Sequence, residues 1–180
     1  MSDGVQSPRV ARVALAVLLL SIYGTLAVAR RLTDALRDAG MLKLTVGFGF
    51  ALAGLAVVVT VWRVPELRRP RTLAALALSA VVYGLVVWPM DSPEEKLHFI
   101  EYGAVGVLAF LATPPLWTTR RRALGAALFT TAAGWLDEGL QAVLPSRHYD
   151  LRDVGFNALA GVLALGALLV IRRQARTSTS

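Results

Sequence analysis

Between Leu44 and Trp62 the chain runs without one ionisable side chain, and five further stretches approach the same character. A bilayer core of about 30 Å takes roughly 17–25 apolar residues per helix. The six stretches are Val13–Ala29, Leu44–Trp62, Leu73–Met90, Leu97–Thr113, Ala123–Leu144 and Leu151–Ile171. None alternates apolar with polar residues, and each is too long for a barrel strand. Prolines stand between them or at their ends, at 65, 70, 89, 93, 114, 115 and 145. Proline lacks an N–H and restricts the residue before it, so it ends helices. The pattern predicts an all-α, polytopic helical bundle of about six spans.

Composition agrees. Hydrophobic types reach 56% and charged types only 17%, with a mean hydropathy of +0.57. Disorder needs the opposite balance, and 180 residues have too little interior to hide so much apolar surface in water. The absence of cysteine excludes disulfides, thiolate zinc sites, iron–sulfur clusters and covalently attached c-type haem. The net charge of +7 would suggest nucleic acid in a soluble protein, but here it follows the loops. With the N-terminus cytoplasmic, one side holds Arg9, Arg12, Arg63, Arg68, Arg69, Arg71, Arg120, Arg121, Arg122, Arg172, Arg173 and Arg176 against Asp3 and Glu66. The other side is net acidic. The positive-inside rule therefore places both termini in the cytoplasm and removes the main argument for nucleic-acid binding. The segment Ala29–Lys43 fits least well: it lies outside yet carries Arg30, Arg31, Arg37 and Lys43, and reads as an amphipathic interfacial helix. Arg9, Arg12, an apolar run and Ala27-Val28-Ala29 also imitate a cleavable signal peptide, although Arg30-Arg31 is a poor context for cleavage.

The polar residues inside the spans gather at one depth. Span four opens Ser92-Pro-Glu-Glu95, a capping box with proline at the first helical position, and Lys96 reaches for the surface. Glu94, His98, Glu101, Tyr102 and Val105 share one face of that helix. Span five ends with Thr130, Gly134, Asp137, Glu138 and Gln141 within about 100° of its surface. Span six opens with Asp150, Asp153, Asn157 and Gly161 on one stripe. Asp150 reads equally well as a helix N-cap. Charges near a bilayer centre cost about 2.5–3.5 kcal/mol on insertion scales, so the three stripes are expected to face one another around a small wet cavity. The plainer alternative is a polar network that only fixes helix packing. Gly103, Gly106, Gly134, Gly139, Gly155 and Gly161 would allow close approach.

These residues resemble a known family. Glu95-Lys-Leu-His98-Phe-Ile-Glu-Tyr102, then Glu138-Gly-Leu-Gln141, then Pro145-Ser-Arg147, Asp150-Leu-Arg-Asp153 and Asn157-Ala-Leu-Ala-Gly161 are similar to the ordered motifs of the VanZ-like membrane proteins. That pattern is D-K-x-x-H-F-x-x-Y, E-x-x-Q, P-x-R, D-x-x-D and N-x-x-G. Glu95 stands where the family has Asp, one residue rather than two separates Lys96 from His98, and Gly161 lies one residue late. The likeness covers roughly Ser92 to Leu169, which divides the chain into an N-terminal three-span region (1–91), a VanZ-like core (92–171) and a polar tail (172–180). It implies a multi-pass protein of the bacterial plasma membrane and cell envelope. The founding member is associated with resistance to teicoplanin, and the family has been grouped with proteins proposed to act on lipid head groups.

Two functions from different classes follow. The first is transfer or hydrolysis at a phosphodiester or diphosphate of a lipid or lipid-linked substrate, at an outward-facing pocket. His98, the one histidine inside a span, would move the proton, with Glu138 and Asp153 completing the catalytic set. Glu101, Tyr102, Gln141, Arg147, Asp150 and Asn157 would bind substrate, Arg147 and the start of span six favouring phosphate. No cofactor is expected. In a metal-assisted version Glu138, Asp150, Asp153 and Asn157 supply hard oxygen ligands for Mg²⁺ or Mn²⁺. The second function is binding without turnover of a glycopeptide, a lipid or a cell-wall precursor. A transporter ranks last, because the polar residues stop in the outer half and no broken helix or paired repeat is present.

Overall fold

The computed structural model describes residues 7–90, 93–144 and 149–176. Among them the secondary structure is entirely helical: α1 (Pro8–Asp38), α2 (Leu42–Arg63), a 3-10 turn (Pro65–Arg68), α3 (Pro70–Val87), α4 (Pro93–Ala112), α5 (Thr119–Val143) and α6 (Leu151–Arg176). Each apolar stretch of the sequence has become one helix. Four helices are long and apolar enough to cross a membrane: α1 over Pro8–Leu26, then α2, α3 and α6 over Leu151–Arg173. α4 and α5 fall short by hydropathy because of the ionisable residues they carry. The chain divides into two compact units, one of Met1–Leu32 with Glu101–Leu165, the other of Thr33–Ile100 with Gly166–Ser180.

The segment after Ala29 differs from expectation. It does not start a separate interfacial helix; α1 continues through it for a total of 31 residues, about 46 Å at 1.5 Å per residue. An exposed ion pair between Arg37 and Asp34 (2.7 Å) supports the last turn. Gly40, at φ +69°, then stops the helix. Its N–H donates to the Arg37 carbonyl (2.9 Å), and that of Met41 to the Leu36 carbonyl (2.8 Å). This is a Schellman motif, which needs the left-handed residue that glycine supplies without a Cβ penalty.

In the second unit α2 buries only Leu42 and Val46 among its residues. Leu44, Phe48, Leu55, Val58 and Trp62 line its outer surface. In water such a face would be a large apolar patch; in lipid it costs nothing. The 3-10 turn tucks Leu67 fully inside, and the Arg68 guanidinium donates to the Val61 and Trp62 carbonyls that α2 leaves open at its end. Tyr83 on α3 donates to the Phe99 carbonyl (3.0 Å) and meets the Phe99 ring edge-on at 4.7 Å.

The first unit is packed more closely. A Cβ added to Gly106 of α4 would lie 2.8 Å from Cα of Gly161 on α6, and one added to Gly161 would lie 2.7 Å from Thr130 Cγ2 on α5. The three helices meet at this point because two of them present no side chain there. The mouth of α4 at its far end is closed by arginine. Arg12 of α1 donates to the Ala112 carbonyl (3.1 Å), and Arg122 of α5 donates to the Phe110 carbonyl (3.0 Å) and to Thr113 Oγ1 (2.9 Å). Two guanidinium groups thus answer the carbonyls and the negative end of the α4 dipole.

Candidate functional site

The polar stripe of α5 turns inward along its whole length. Arg122, Ala126, Thr130, Ala133, Gly134, Asp137, Glu138 and Gln141 are all buried, at spacings of three and four. Thr130 satisfies its own hydroxyl on the Ala126 carbonyl (2.8 Å), so it can pack its methyl against Gly161. One turn further, a Cβ on Gly134 would come within 2.8 Å of the Asn157 Cβ, so the amide of Asn157 lies directly over the α5 backbone. Asn157 is buried with it.

Next along the stripe stands Asp137, fully buried beside two tyrosines. Tyr102 of α4 donates to the Ala133 carbonyl (3.3 Å), and Tyr23 of α1 donates to the same oxygen (2.9 Å). The carboxyl of Asp137 is close enough to both hydroxyls to interact with them. A phenol inside a helix bundle must find an acceptor, and here two find one.

Glu138 joins α5 to α6. It is 2% exposed. Its Oε1 accepts from Gln141 Nε2 (3.2 Å), and its Oε2 accepts from the backbone N–H of Asp150 (3.3 Å). Asp150 in turn caps α6, its Oδ1 accepting from the N–H of Arg152 (2.8 Å). Two carboxylates from different elements therefore satisfy the first N–H groups of α6 and sit at the positive end of its dipole. Asp153 adds a third acid to that first turn and remains partly exposed, as do Glu101 and Asp150.

Within the first unit the structure thus brings together Tyr102, Asp137, Glu138, Gln141, Asp150 and Asn157. Glu101 and Asp153 belong to the same unit at its partly exposed margin. His98 belongs to the second unit, half-buried one turn before Tyr102 in the chain, with Nδ1 shielded from solvent. Arg147 lies outside the described residues, with Pro145, Ser146 and His148; so does Ser92 of the expected capping box, although α4 does begin at Pro93. Among the described residues no three His, Asp or Glu side chains gather closely enough to hold a metal ion.

Two participants were not among the residues singled out from sequence. Tyr23 is the one tyrosine in the apolar run of α1, which was itself the signal that its hydroxyl needs a partner. Arg122 reads from the sequence as one of the cytoplasmic-side arginines, yet it lies at successive i+4 steps from Ala126, Thr130, Gly134 and Glu138, so extending the stripe toward the N-terminus of α5 finds it.

No protein-family model matches the sequence, and no curated protein or solved structure matches it either.

Proposed function

We propose that this chain is a VanZ-like protein of the bacterial plasma membrane that binds the polar head group of a lipid or lipid-linked envelope precursor. In this reading α4 and α5 also cross the membrane, giving six spans with both termini cytoplasmic. The ends of α5 and α6 near Glu138 and Asp150 then lie at the outer leaflet. The observation that carries the reading is the employment of Glu138. Its Oε2 ties α5 to the start of α6 and its Oε1 is taken by Gln141 within α5, so both oxygens are occupied and the buried network serves as a floor. The partly exposed Glu101, Asp150 and Asp153 are the groups that a ligand meets first, and Arg147 supplies the cation for a phosphate.

A second reading, turnover of the same class of molecule, is favoured by one observation: an imidazole nitrogen of His98 held away from solvent. One experiment separates the two. The full-length protein in lipid nanodiscs is titrated with a diphosphate-linked polyprenyl lipid, and the lipid is recovered and analysed. Binding predicts intact ligand, affinity retained in His98→Ala, and a loss of about tenfold or more in Arg147→Ala and Asp153→Asn, the scale of a hydrogen bond to a charged group. Product that disappears in His98→Ala would establish the enzyme instead. Equal retention by all variants would remove both.

A further inference from the structure

The loop joining α4 to α5 is built with more care than a connection requires. Pro114 and Pro115 open a tight turn, closed by the Trp117 N–H donating to the Pro114 carbonyl (3.2 Å). Thr118 then caps α5, its Oγ1 accepting from the Arg121 N–H (3.3 Å). The rigid turn lifts Leu116 to 97% exposure, with Trp117 beside it at 37%. The Arg121 guanidinium lies over the Trp117 ring, 4.2 Å from its centroid. Of the three consecutive arginines, Arg122 turns inward to cap α4, and Arg120 and Arg121 remain on the surface. No acidic residue occurs between Phe110 and Arg122.

We propose that this turn is a binding site for anionic phospholipid head groups. Arg120 and Arg121 hold the phosphodiester, and Leu116 and Trp117 enter the boundary between head groups and acyl chains. Among the described residues no carboxylate is paired with either arginine, the apolar pair stands at a helix end, where membrane interfaces favour tryptophan, and prolines and cap fix both before a lipid arrives. The site is at the opposite end of α5 from Glu138; it rests on the proposed crossing of α4 and α5, and not on the head-group pocket proposed above.

The test is native mass spectrometry of the full-length protein titrated with phosphatidylglycerol or phosphatidylcholine. Phosphatidylglycerol should bind more tightly. R120Q/R121Q should weaken it about thirtyfold, from the usual contribution of two arginines near an anionic surface, and leave phosphatidylcholine unchanged. R120K/R121K should stay within a few-fold of the parent, and circular dichroism and gel filtration report whether each variant is folded. W117A should weaken both lipids, and W117F should restore them. R69Q/R71Q removes the same charge from a different loop and should change little. Equal binding of the two lipids overturns the proposal, as does an equal loss in R69Q/R71Q. Competition by free glycerol phosphate at matched concentration would mark a soluble-anion site and overturn it too.

Discussion

Arg122 shows how one side chain can change meaning between sequence and structure. Read along the chain, it ends a run of three arginines and counts toward cytoplasmic charge. In the fold it is 6% exposed, spread over the Phe110 ring at 4.4 Å and bonded to the Phe110 carbonyl. Hydrogen bonds to a charged group are worth about 1.5–3 kcal/mol, so Arg122→Ala should cost about 2–4 kcal/mol of stability. Arg122→Lys should recover part of this, keeping the charge but losing the two-pronged geometry. Reversible unfolding in mixed detergent measures both; an Arg122→Ala protein as stable as the parent would show that the cap contributes nothing. The sequence could not assign this role because the acceptors lie on another helix. It did place Asp150 correctly as one of two alternatives, since an acid before an apolar run is what a cap looks like. That Glu138 shares the cap was invisible, because the partners stand twelve positions apart with a loop between them.

At the scale of elements, the six apolar stretches of the sequence reappear as α1 to α6 with ends moved by a few residues. The large departure is α1, whose charged final turns hid its continuity: hydropathy ends with the apolar run, whereas the backbone ends where Gly40 permits a left-handed turn. The six glycines named for close packing were indistinguishable by spacing. Gly106, Gly134 and Gly161 touch another helix, and Gly139 and Gly155 face open space. Gly106→Ala should therefore cost about 1–3 kcal/mol, the usual penalty for overpacking a filled site. Gly155→Ala should be neutral or stabilise by up to about 1 kcal/mol, because alanine is the better helix former. Thermal melting in one detergent compares the two directly, and an equal response would contradict the contacts described for α4 and α6.

For the molecule as a whole, four helices among the described residues are long and apolar enough to cross a membrane and two are not. Hydropathy averages over a helix and takes no account of which face carries the charge, and in α4 and α5 ionisable residues lower that average. On α5 Arg122, Asp137 and Glu138 point inward while Leu124, Leu128, Trp135 and Leu136 face out. The chain has no cysteine, so single introduced thiols can be labelled without background. Six spans predict that Ser7→Cys and Leu116→Cys react with a membrane-impermeant maleimide only after the cytoplasmic side is opened. Ala39→Cys and Tyr149→Cys should react from outside. Labelling of positions 116 and 149 from one side would mean that α5 does not cross.

The carbonyl of Ala133 receives a phenol from each of two helices that meet nowhere in the sequence. Because one acceptor is served twice, a descendant chain can lose either aromatic hydroxyl and still keep that oxygen supplied. The arrangement carries its own spare, and a lineage that drops both would leave that oxygen only the i+4 N–H of its own helix.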